Sequence, residues 1–126
     1  MPSHTLTYKW TGATTFSKDV AETATSETLM EETVVTASTD YLINIAIDVS
    51  EVDSFYLNST QAVTLETNNG TTPDNTISLV ADQPYMWHSG DYVAFLLTVD
   101  VTKFYITNNS GATATITVKV LQDATP

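Results

Sequence analysis

The sequence predicts an all-β chain, folded as an antiparallel β-sandwich of Ig-like or jelly-roll type with about eight to ten short strands and little or no helix. Three observations lead there. Threonine is abundant and, with Val, Ile and the aromatics, supplies the residues favoured on a pleated, half-buried surface. Apolar and polar residues alternate along most of the chain. Turn signals recur at short, regular intervals. A closed barrel is the lesser alternative.

The elements follow in order. Leu6, Tyr8 and Trp10 alternate with Thr5, Thr7 and Lys9, which reads as a first strand ended by Gly12. A short strand is expected over 16–20. Some helical flavour over 26–32 is outweighed by Thr28, Thr33, Val34, Val35 and Thr36, so a strand is expected from about 28 to 37. Ile43, Ile45, Ile47 and Val49 form one strongly apolar face. After a corner over 48–53, strands over 55–57 and 63–67 read as a hairpin. Asn68, Asn69 and Gly70 tolerate the left-handed backbone of a tight turn. Strands over 76–80 and 85–87 come next, the second stopped by His88, Ser89 and Gly90. The apolar run from 92 to 101 reads as a buried strand. A turn over 108–111 precedes a final strand, whose Ala114, Ile116, Val118 and Val120 face the core.

An internal similarity supports this architecture. Tyr41, an apolar run, Asp48, Phe55-Tyr56-Leu57 and Asn58-Ser59 return about fifty residues later as Tyr92, an apolar run, Asp100, Phe104-Tyr105-Ile106 and Asn109-Ser110. Duplication and two similar solutions to one packing problem both account for it.

A chain of 126 residues fits one domain, 1–126, with 122–126 as an extended tail. The N-terminus has neither a basic region nor an apolar run, so no secretory signal is expected. No apolar stretch approaches the roughly 20 residues that cross a bilayer. Fifteen acids stand against four lysines and no arginine, a formal net charge of −11, and nine of the acids fall between Asp19 and Asp53. Phosphate neutralisation needs clustered cations, so neither nucleic acid nor an anionic membrane is an expected partner. The charge suits a well-dispersed protein or one that docks on a basic protein surface.

Candidate chemistry is sparse. There is no cysteine for disulfides or thiolate metal sites. His4 and His88 are the only histidines, at no recognisable metal spacing, and His88 reads as a turn residue beside Trp87. Asp48, Glu51 and Asp53 lie close enough for calcium, but the equivalent corner offers Asp100 with Thr102 and Lys103. Both aspartates therefore read as bonding to nearby backbone amides. No nucleophile elbow or phosphate-cradling glycine loop occurs, so no catalysis, metal or cofactor is expected. Glycosylation triplets at Asn58, Asn69 and Asn108 are what chance gives in this composition. Tyr85, Trp87 and Tyr92 form the best aromatic cluster for stacking on a sugar or a partner, although most aromatics of a small sandwich enter its core.

From Val63 onward, Pro73-Asp74-Asn75-Thr76-Ile77-Ser78-Leu79, Pro84-Tyr85-Met86-Trp87-His88-Ser89 and Leu121-Gln122-Asp123-Ala124-Thr125-Pro126 resemble small structural proteins encoded near the capsid gene of tailed bacteriophages. The resemblance covers about half the chain. It implies a non-enzymatic virion component made in the host cytoplasm, a cement or decoration protein on the capsid exterior. Its expected partners are the major capsid protein and copies of itself, with trimers suited to threefold lattice positions. A glycan- or receptor-binding module of a tail or fibre is the alternative expectation.

Overall fold

The computed structural model describes residues 1–123, and their elements are all strands. In chain order these are β1 (Ser3–Trp10), β2 (Phe16–Thr23), β3 (Ser26–Val34), β4 (Ser38–Ile47), β5 (Val52–Ser59), β6 (Val63–Thr67), β7 (Thr76–Leu79), β8 (Tyr85–His88), β9 (Val101–Asn108) and β10 (Ala114–Gln122). β1 and β2 pair only with each other, as an arm. The other eight build two antiparallel four-stranded sheets: a front sheet in the order β3-β10-β5-β8 and a back sheet in the order β4-β9-β6-β7.

The pairing is nested. β6 pairs with β7, β5 with β8, β4 with β9 and β3 with β10, so the chain doubles back on itself around the β6–β7 turn. Two further pairings, β5 with β10 and β6 with β9, roll that doubled ribbon into two sheets. This is the jelly-roll form of the sandwich.

Strand alternation then sets the core. Phe55 and Leu57 of β5, with Ile116, Val118 and Val120 of β10, face Phe104 and Ile106 of β9 and Leu65 of β6, and all are at most 2% exposed. Burying each of the larger side chains contributes roughly 1.5–3 kcal/mol. Edge strand β3 turns Glu32 to the inner side by the same alternation, in register with Ile116. There the carboxylate accepts a 3.0 Å bond from the Tyr41 hydroxyl, a charge that discourages a further strand from adding at this edge.

Three sequence expectations change. β5 and β6 are not a hairpin: they belong to opposite sheets, joined by a corner. Residues 92–100 are not a strand but an irregular loop, in which Leu97 is buried and Tyr92 fully exposed. Besides Leu97 the loop packs Phe95 by tertiary contact: Phe95 stacks on Trp87 at 4.6 Å and meets Phe55 edge-on at 5.1 Å. The expected tail begins one residue later, because Gln122 ends β10 and bonds Asp48 N and Ala46 O through its side-chain amide. Residues 124–126 of that tail lie outside the described residues.

Asn108 closes the top of the sandwich. It is fully buried, and its Nδ2 donates to Val34 O and Ala112 O, both at 2.9 Å. Its Oδ1 accepts from Ser110 N at 3.1 Å and Ser110 Oγ at 2.7 Å. Asn108→Ala leaves Val34 O without its donor in a buried site and is expected to cost about 1–3 kcal/mol, read as a lower denaturant midpoint at unchanged slope. Asn109→Ala, on the exposed neighbour, is expected to leave the midpoint in place.

Candidate functional site

The seam between the arm and the outer face of the front sheet brings together polar side chains that include both histidines. Alternation puts His4, Leu6, Tyr8 and Trp10 of β1 on the same side as Glu22, Val20, Lys18 and Phe16 of β2, since these are register partners. That side faces the front sheet. Its root half is covered: Leu6 is buried, and on the sheet below it Ser54 and Leu121 are buried although alternation points both outward.

His4 is the centre of the seam. Its Nδ1 lies 2.8 Å from Ser54 Oγ of β5 and its Nε2 lies 2.6 Å from Glu27 Oε2 of β3. With the hydrogen on Nε2, the ring donates to Glu27 and accepts the Ser54 hydroxyl, a serine–histidine–acid chain. A hydrolytic triad must show its serine to a substrate. Here Ser54 is 1% exposed, beneath the arm. The adjoining cavity, about 280 Å³, is lined by Leu6, Tyr56 and Lys119 as well as His4 and Ser54. Lys119 is drawn over the Tyr56 ring, 5.3 Å from its centroid. The arrangement fastens the arm to two strands at once.

A second polar contact joins the arm to β8. His88, at the end of β8, is 3.8 Å from Glu22 of β2 and 3.8 Å from Asp91. The Tyr8 ring meets the His88 ring edge-on at 5.9 Å, and the Tyr8 hydroxyl donates to Asp91 at 3.4 Å. His88 Nδ1 also contacts Ser89 O at 2.9 Å. Both histidines thus sit between arm and sheet. Sequence offers no signal for this, because the hydrogen-bonded partners across the seam are separated by 23 to 83 residues.

The aromatic cluster is divided. Tyr85 and Trp87 share the inner side of β8 and pack against the core. Tyr85 Oη accepts from Leu96 N at 3.0 Å, and Trp87 Nε1 donates to Val93 O at 2.8 Å, so both clasp the 92–100 loop. Tyr92 stands apart, fully exposed. The corner acids serve the backbone. Asp48 Oδ1 accepts from Ser50 N at 3.0 Å, whereas Asp100 Oδ1 reaches across to Val49 N at 3.0 Å. Among the described residues no three His, Asp or Glu side chains are grouped to hold a metal ion.

The outer face of the back sheet carries no arm, and the turn at Gly70 meets it at Asp40. Leu42, Asn44 and Ala46 of β4, Lys103, Tyr105 and Thr107 of β9, and Thr64 and Glu66 of β6 point to it by alternation. Leu42, 46% exposed, and half-buried Tyr105 are register partners near its middle. Only Lys103 and Glu66 among these residues carry charge.

Three phenols hold their protons more tightly than the ordinary value of 10.0. Burial is the main cause for Tyr85, burial and then the Asp91 charge for Tyr8, and the hydrogen bond to Glu32 for Tyr41. A raised folded-state value means that the stability linked to the neutral phenol is fully present below pH 10 and lost as pH rises through the folded value. Phenolate absorbance is therefore expected to show at least Tyr8, Tyr41 and Tyr85 ionising late, and the melting temperature to fall above pH 10. Tyr85→Phe is expected to remove one late-titrating group.

Comparison with family models, with curated proteins and with solved structures gives no match for this chain.

Proposed function

We propose that this protein is a non-enzymatic virion component, a cement or decoration protein that binds the major capsid protein on the outside of a tailed-phage head. One observation carries the reading: the two outer faces of the sandwich are treated differently. The front face carries the arm over Ser54 and Leu121, while the back face carries no arm and presents Leu42, 46% exposed, beside Tyr105. A rigid β surface with a Leu42–Tyr105 pair near its middle suits adhesion, because little order is lost on binding and tyrosine is a frequent source of binding energy. The resemblance to capsid-associated phage proteins gives the partner its identity. The acidic remainder of the surface suits a shell with basic rims and keeps the protein off nucleic acid.

Glycan or receptor binding at Tyr85, Trp87 and Tyr92 has less support. A stacking platform needs free aromatic faces, and the Trp87 ring is occupied by Phe95.

The test is co-sedimentation with capsids that lack the protein. Binding at micromolar concentration and a higher disruption temperature are expected. Leu42→Ser and Tyr105→Ala are each expected to weaken binding by roughly tenfold. Absence of binding to such shells would end this assignment.

A further inference from the structure

The arm is longer than the surface it lies on. Its root touches β3 and β5 through His4, and further out Tyr8 meets His88 and Asp91 beside β8, the last strand of the front sheet. Two residues beyond Tyr8, at about 3.4 Å per residue, the register pair Trp10–Phe16 stands at the far end of the arm. Trp10 is 75% exposed and Phe16 63% exposed, although both belong to the side that is buried at Leu6. A two-stranded ribbon on its own is marginal in water. This one carries its largest apolar side chains where its own body has run out.

We propose that the overhanging end of the arm seats on a second copy of this chain, on the outer face of its β3. Charge favours that occupant. The arm holds two of the four lysines, whereas the body holds thirteen of the fifteen acids. Lys18, exposed, lies on the same side of the arm as Trp10 and Phe16. On β3, Leu29 is 63% exposed between Glu27 and Glu31, which point the same way. This is an apolar contact flanked by acids, the complement of an aromatic pair flanked by a lysine. Lys119, in register with Leu29, is turned over Tyr56 and does not oppose the match. Glu27 is already held by His4, so Glu31 receives Lys18.

The arm of one chain cannot serve its own Leu29. It leaves the sheet at β8, and β3 is the opposite edge. The contact is therefore head-to-tail between copies, and head-to-tail contacts close into rings or continue as filaments. This inference concerns the isolated protein and stands apart from the capsid assignment.

Sedimentation velocity of the full chain over a micromolar concentration series tests it. The native protein is expected to show assemblies above the protomer mass. Trp10→Ser with Phe16→Ser is expected to raise the dissociation constant at least about tenfold, with a native melting temperature showing that the body is folded. Lys18→Glu and Glu31→Lys are each expected to weaken association, and the two together to restore it. A native protein monomeric throughout the series overturns the proposal, as does aromatic-tip protein that assembles like the native chain. Failure of the reversed pair to restore association overturns the seat on β3. A monomer that binds capsids through Trp10 assigns the arm to the shell and equally overturns it.

Discussion

Antiparallel pairing between strands placed symmetrically about the β6–β7 turn is the constraint from which the other features follow. Only that innermost pair is local, with Val63 opposite Leu79 and Glu66 opposite Thr76. Once it has formed, β5 and β8 are brought close, then β4 and β9, then β3 and β10, each closing a shorter effective loop than the intact chain would require. Rolling the doubled ribbon puts consecutive strands into opposite sheets at nearly every step. That is why one apolar face per strand suffices for a single core between them. The free edges follow too: β3 and β8 in front, β4 and β7 behind. The arm therefore begins at one front edge and leaves at the other.

The internal similarity acquires a structural meaning in this frame. β5 followed by β6 corresponds to β9 followed by β10, and the two units interlock, β5 with β10 and β9 with β6. Phe55 and Phe104 are equivalent buried aromatics, as Leu57 and Ile106 are equivalent buried aliphatics. Ser59 and Asn108, both fully buried, each bond the residue two positions on, Gln61 and Ser110 respectively. The correspondence stops upstream. β4 is a ten-residue strand, while 92–98 is coil with no ladder partner.

Periodicity of two reports which side of a strand is buried, and it identified the inward residues of β4 and β10 from sequence. It carries no information on which strand lies alongside. The segment containing Phe55 and the strand starting at Val63 therefore read as a hairpin, when the chain crosses between sheets. The run from 92 to 101 reads as a strand for a related reason: apolar content does not distinguish a ladder from a loop, and here a loop buries Leu97 and lays half-buried Phe95 on Trp87. Tyr85 and Trp87 had the composition of a binding platform, and core aromatics have the same composition. The His4–Ser54–Glu27 relay was illegible because nothing local links its members. The arm was half legible, since alternation foretold its strands but not their separation from the sandwich.

Fastening the arm by polar contacts at its root, with one buried leucine, has a mechanical consequence. A strand inside the sandwich is held by ladder bonds on two sides and by the core, whereas the arm is held by ladder bonds to its own partner strand and by a narrow seam. Hydrogen bonds of this kind contribute about 1 kcal/mol each when their alternative is water, so the seam orients the arm more than it anchors it. Orientation is what an overhanging contact requires. Relay bonds to β3 and β5, with Tyr8 against His88 further along, fix the line on which Trp10 and Phe16 project. The buried serine that first suggests chemistry is better understood as one end of that alignment: its hydroxyl fixes a ring, the ring fixes a strand, and the strand carries two aromatic side chains beyond the edge of the sheet.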